Sequence, residues 1–175
     1  MSGSTISHAT TRSWLRGLFS FPNPVNEVSA RLVAAGVVVL CVLTIAFDLK
    51  WMTVVIAYGF VARVLTGPTL SPLGQVVTRV LTPRLGIAER PVAGPPKRFA
   101  QAMGAAFSLT ALLLTGLGYW LPAQVVLGIL VAAATLESAF GVCLGCITFR
   151  MLIRVGVVPE QVCERCNDIW GAATA

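Results

Sequence analysis

The chain has 175 residues, of which 56% are hydrophobic and only 11% charged, and its mean hydropathy of +0.82 excludes an ordinary water-soluble domain, where about a quarter of residues carry charge. The formal net charge of +6 does not point to nucleic acid, because the basic residues are scattered over tails and loops with no interleaved aromatic platform; orientation in an anionic bilayer explains them better. The length suits one all-α, polytopic membrane domain with short tails and the lipid bilayer as its first partner.

Residues 1–22 read as a polar amino tail. They contain Arg12 and Arg16 and no apolar h-region, so they are not expected to act as an export signal, although the stretch from Arg12 to Phe19 suits a short surface helix as well as a flexible tail. His8, the only histidine, falls here as a solvated residue. Asn23 followed by Pro24 is a good helix start. A first span is expected over about 29–48, since Leu32 to Phe47 is free of charge and Arg31 can snorkel to the surface. Cys41 within it reads as a small packing residue. Asp48 and Lys50 mark a turn, and a second span follows over about 50–66, with Arg63 inside it and Gly67-Pro68 at its end.

Pro72, Leu73, Val76, Val77, Val80 and Leu81 fall at helical spacing, but the run is too short before Pro83 to cross a bilayer. The expectation over 71–82 is an interfacial helix, with a re-entrant segment as the alternative. Arg90 to Gln101 is basic and proline-rich, a stiff loop suited to anionic headgroups. Phe99 to Leu136 then carries no charge and is long enough for two spans, divided where Gly116, Gly118, Tyr119, Trp120 and Pro122 cluster. These spans are placed at about 99–120 and 122–149, and residues 151–175 form a cysteine-containing tail.

Four spans put both termini on one side. Of the 13 Lys and Arg residues, 11 lie in the amino tail (Arg12, Arg16, Arg31), the central loop (Arg79, Arg84, Arg90, Lys97, Arg98) or after the fourth span (Arg150, Arg154, Arg165). The bias predicts that both ends are cytoplasmic.

Four segments together carry a family resemblance: Phe21-Pro-Asn-Pro-Val-Asn-Glu27, Ser71-Pro-Leu-Gly74, Arg90-Pro-Val-Ala-Gly-Pro-Pro-Lys-Arg-Phe-Ala-Gln101, and Thr135-Leu-Glu137 with Phe140-Gly-Val-Cys-Leu-Gly-Cys146. From about Phe21 to Arg150 the chain resembles an uncharacterised bacterial membrane family, domain of unknown function four-three-nine-five. The resemblance implies a small multi-span inner-membrane protein. It also implies work on thiols or sulfur, because relatives are encoded beside thioredoxin-like proteins and rhodanese-type sulfurtransferases, either of which would be a soluble partner.

The residues able to do chemistry are two matched pairs, Cys143 with Cys146 and Cys163 with Cys166. Thiols three positions apart share a helix face, so each pair can exchange electrons or sulfur or clasp a soft metal. Cys143 and Cys146 are expected on a helix continuing from the fourth span, at its cytoplasmic end. Sixteen residues separate Cys146 from Cys163, a spacing that also fits a four-cysteine zinc site. Thiol redox or sulfur transfer, a structural zinc clasp, and chemically silent thiols all stay open.

Glu137 is the only acid inside a span and needs a partner. Counting from the outer interface, Arg63 reaches similar depth, so an Arg63–Glu137 ion pair is expected as a register-fixing contact. On a continuous helix Cys143 and Cys146 face away from Glu137, which argues against acid–base help to the thiols. A small transporter subunit built on Arg63, Glu137 and the glycines is a further reading, and a homo-oligomer stays open. There is no phosphate loop and no nucleophile elbow, which disfavours nucleotide-driven and hydrolase mechanisms.

Overall fold

The computed structural model describes residues 25–88 and 90–156. Among these residues the fold is all-α apart from one minimal β-pair. In order come β1 (Val25–Asn26), α1 (Glu27–Ala46), α2 (Met52–Thr66), α3 (Pro72–Val76), a π-helical turn (Val77–Leu81), α4 (Thr82–Leu85), β2 (Pro91–Val92), α5 (Gly94–Gly116), α6 (Trp120–Phe140) and α7 (Leu144–Arg154). Helices α1, α5 and α6 are long and apolar enough to cross a membrane, whereas α2 is apolar but has 15 residues. At 1.5 Å per residue α2 covers about 22 Å, short of a hydrocarbon core of about 30 Å.

The first helix starts later than Asn23 and Pro24 suggest, and those two residues lie outside the described residues. Asn26 is the cap, its side chain accepting the Val28 N–H at 3.0 Å. Val25 and Asn26 are held extended by antiparallel pairing with Val92 and Pro91, and the Glu27 N–H extends the ladder to the Arg90 carbonyl at 2.9 Å. Pro91, which has no N–H to give, suits this edge. The pairing joins the amino-end motif to the Arg90 motif.

Pro83 does not end the third helical stretch, which runs on to Leu85. A proline inside an α-helix clashes with the carbonyl four residues back. Here the turn before it widens to π geometry, with the Thr82 N–H bonded to the Val77 carbonyl. Such π-turns recur at functional sites.

Two other boundaries differ from expectation. Helix α5 begins at Gly94, with proline in its first turn, rather than at Phe99; proline there is pre-set for helical φ and loses no hydrogen bond. Lys97 therefore stands on a helix wall and not in a headgroup loop. Helix α6 stops at Phe140 rather than Phe149. Gly141 adopts φ 70°, the left-handed conformation that glycine takes without a Cβ penalty, and its N–H and that of Val142 fold back on the carbonyls of Glu137 and Leu136, each at 3.1 Å.

Arg31 secures this break. Its Nε and Nη2 donate to the Ser138 carbonyl at 3.2 and 3.1 Å, and Nη2 to the Ala139 carbonyl at 2.9 Å. These are last-turn carbonyls that the helix cannot satisfy itself, so Arg31 serves as an interhelical cap instead of simply snorkelling.

In the bundle α1 packs along α6 and α2 along α5, while α5 also bears on α6 and α7. The core joins small side chains such as Ala34, Ala105, Ala111 and Ala134 with Phe60, Leu127 and Leu130, and Cys41 is fully buried among them. The fit is close: a Cβ on Gly104 would lie 2.2 Å from the Phe60 ring. At the opposite end from α7, Asp48 turns the chain at φ 50° and accepts the Trp120 indole N–H at 2.7 Å, tying the α1–α2 turn to the start of α6.

Candidate functional site

The break at Gly141 puts Cys143 at the N-cap of α7 and Cys146 in its first turn, correcting the expectation that both ride a continuous fourth helix. Helix α7 docks directly on α5. A Cβ on Gly145 would stand 2.5 Å from both Cα and Cβ of Ala100, so only glycine between the cysteines lets the two backbones approach this closely. Phe149 then packs its ring 5.5 Å from that of Phe99.

Both thiols are free and they are not equivalent. The Cys146 thiol and the Cys146 backbone N–H donate to the Cys143 sulfur. Cys143 is held below the ordinary thiol range chiefly by the hydrogen bond from the Cys146 thiol, with the Lys97 ammonium and the Cys146 N–H acting in the same sense against burial and the charge of Glu137. Cys146 is pushed up because its proton is the one given in that bond, with burial and the neighbouring Cys143 adding to the effect. A helix N-terminus favours a thiolate for the same electrostatic reason. Cys143 is 7% exposed and Cys146 half-buried, and both border a cavity of about 360 Å³ that Lys97 and Arg150 also line.

Glu137 does find a cation, but a different one. Its Oε1 lies 2.7 Å from the Lys97 Nζ, the two side chains being 9% and 16% exposed for Lys97 and Glu137 respectively. Arg63 instead gives its Nε to the Gln101 Oε1 at 2.9 Å and its Nη1 to the Ser71 Oγ at 3.2 Å, with its guanidinium 4.5 Å above the Phe60 ring. The expected Arg63–Glu137 contact is thus replaced, because starting α5 at Gly94 brings Lys97 inward to reach Glu137 first. The break after α6 likewise overturns the inference that the thiols are remote from Glu137, since both its charge and that of Lys97 act on Cys143 and Cys146.

Cys163 and Cys166 lie outside the described residues. Among the described residues no group of three or more His, Cys, Asp or Glu stands ready for a metal, so a zinc clasp would depend on that second pair. Sequence reasoning missed Lys97 and Arg31 as parts of the site. The available signals were the prolines of Gly94-Pro-Pro, which open a helix ahead of Lys97, and Gly141, which ends one two residues before Cys143.

The model of the family described as domain of unknown function (DUF4395) matches residues 25–154. The chain belongs to this family. The match runs from β1 through α7, so the β-pair, the buried ion pair and the Cys143–Cys146 corner are all inside it. No curated protein and no solved structure matches the chain.

Proposed function

We propose that this DUF4395 protein is a four-span inner-membrane dithiol protein that exchanges thiols and disulfides with a soluble, thioredoxin-like partner at its cytoplasmic face. The single observation behind this reading is the Cys143–Cys146 pair at the start of α7, two free thiols that border one cavity beside the Lys97 ammonium. In the forward step the Cys143 thiolate attacks a sulfur of the partner's disulfide, forming a mixed disulfide and releasing the partner's other sulfur as a thiolate that takes up a proton. Cys146 then loses its proton and its sulfur attacks Cys143. An internal disulfide closes and the partner leaves as a dithiol, having gained two electrons and two protons. A second dithiol, for which Cys163 and Cys166 are the nearest candidates in the chain, returns the pair to its reduced form.

Several features support the membrane setting. Side chains such as Val39, Leu113, Leu121 and Val125 stand exposed on the three long helices, as a surface facing acyl chains requires. Helix α2 completes the fourth span by the local thinning and interfacial anchoring open to short helices, with Trp51 at its start. The segment 72–85 lies at the cytoplasmic interface. Taking Lys97 out of the loops leaves the basic excess on that side in place, so both termini are assigned to the cytoplasm.

The test is trapping. In a Cys146→Ser variant, expressed as the full chain and quenched with acid, Cys143 is expected to accumulate mixed disulfides that mass spectrometry identifies, while Cys143→Ser accumulates none. Equal capture by both variants, or by neither, defeats the redox reading. About one zinc per chain that is lost from a variant without the four cysteines would favour the structural clasp instead, and a persulfide on Cys143 would assign sulfur transfer with a rhodanese-type partner.

A further inference from the structure

A second cavity, of about 660 Å³, lies between the start of α1, the end of α2, the π-turn and the first turns of α5. Two cations, Arg63 and Lys97, reach its wall, and no Asp or Glu lines it among the described residues. Lys97 is already neutralised by Glu137. Arg63 is 5% exposed, yet its side-chain bonds are to the neutral Gln101 and Ser71. Arg63 is therefore a buried cation with no carboxylate in contact: Glu137 acts on it only through space and is already paired with Lys97, so the three groups keep one net positive charge beside an open volume, a combination that costs free energy unless an anion fills it. The rest of the wall is mostly apolar, including Val33, Pro68 and Ile87, with the hydroxyl of Thr78 supplied by the π-turn.

We infer that this cavity binds an amphiphilic mono-anion, its carboxylate or phosphodiester headgroup paired with Arg63 and its acyl-like body along the apolar wall. One negative charge balances the three ionised side chains, Arg63, Lys97 and Glu137. The cavity is distinct from the one beside the thiols, with Lys97 on the wall of both, and the inference does not rest on the redox reading.

Thermal unfolding of the full chain in maltoside micelles tests it. One arm compares laurate with dodecanol, and the other compares phosphatidylglycerol with phosphatidylcholine. The anionic member of at least one arm is expected to raise the unfolding midpoint by about 3 °C or more beyond its uncharged or zwitterionic counterpart. A response to laurate alone identifies a free carboxylate as the ligand class, and a response to phosphatidylglycerol alone identifies a lipid headgroup. Gln101→Glu sets a carboxylate against the Arg63 Nε from inside the protein, so it keeps the fold and abolishes the anion-specific shift; Arg63→Gln abolishes it as well. The inference is overturned if charged and uncharged members act alike in both arms, or if Gln101→Glu retains the full anion response.

Discussion

Arg63 and Lys97 are both buried cations in one helix bundle, and they are satisfied in opposite ways. Lys97 has a carboxylate at 2.7 Å, so its charge is cancelled in place and its field is shared with two thiols. Arg63 has an amide, a hydroxyl and an aromatic face, which meet its donors but leave its charge standing. The difference separates a closed electrostatic unit, suited to fixing the thiol corner, from an open one, suited to receiving something from outside. It also explains why a lysine serves at one position and an arginine at the other: the ammonium is a point charge for a single carboxylate, while the guanidinium fork satisfies several neutral partners at once.

The sharpest way to break this contrast is to remove one partner from each cation. Glu137→Gln strands Lys97, and a loss of about 3–5 kcal/mol in unfolding free energy is expected, with most of it recovered in the double variant Lys97→Met, Glu137→Gln. Gln101→Leu takes one neutral acceptor from Arg63 and is expected to cost less, about 1–3 kcal/mol. Reversible unfolding in mixed micelles measures both. If the two single losses were equal, or the double variant failed to recover, Lys97–Glu137 would not be a self-cancelling pair.

Gly145→Ala comes next, and it probes the thiol corner alone. The added Cβ presses on the Ala100 backbone, so a cost of about 1–3 kcal/mol is expected, together with slower alkylation of Cys143 as α7 lifts from Lys97. An unchanged alkylation rate would show that docking on α5 does not tune the thiol. Asn26→Ala is the smallest change, about 1 kcal/mol for a lost cap. It leaves Lys97, Glu137 and both cysteines untouched, so the thiol rates should stay at wild-type values.

The helices were legible in the sequence because an apolar run without charge has few alternatives to a helix. Their ends were less so, and both errors have one physical origin. Counting charge-free residues cuts a helix wherever a charge occurs, which starts α5 at Phe99 and leaves Lys97 in a headgroup loop, although Gly94-Pro-Pro is a good helix start and a charge can enter a helix wall when a carboxylate faces it. The same counting carries a helix through any apolar stretch. Gly141 lies inside an apolar stretch that reads as unbroken helix, and its left-handed turn, which makes Cys143 an N-cap, emerges only when Arg31 arrives from 107 residues away to hold the broken end. Pairing Glu137 with Arg63 by depth respected distance along the membrane normal but could not see which helix faces which.

The relation between Cys143 and Cys146 carries the function proposed here, and on it exposure and ionisation point in opposite directions: Cys146 is the more exposed, Cys143 the more readily ionised. Because the thiolate is the nucleophile, ionisation should decide. Site-resolved alkylation of the full chain by iodoacetamide, followed across pH by mass spectrometry, measures this directly. A depressed thiol titration means that thiolate is present at lower pH, so Cys143 is predicted to react faster than Cys146 around neutrality, with a midpoint below that of a free cysteine. Faster reaction at Cys146, or a Cys143 midpoint at or above the free value, would contradict it.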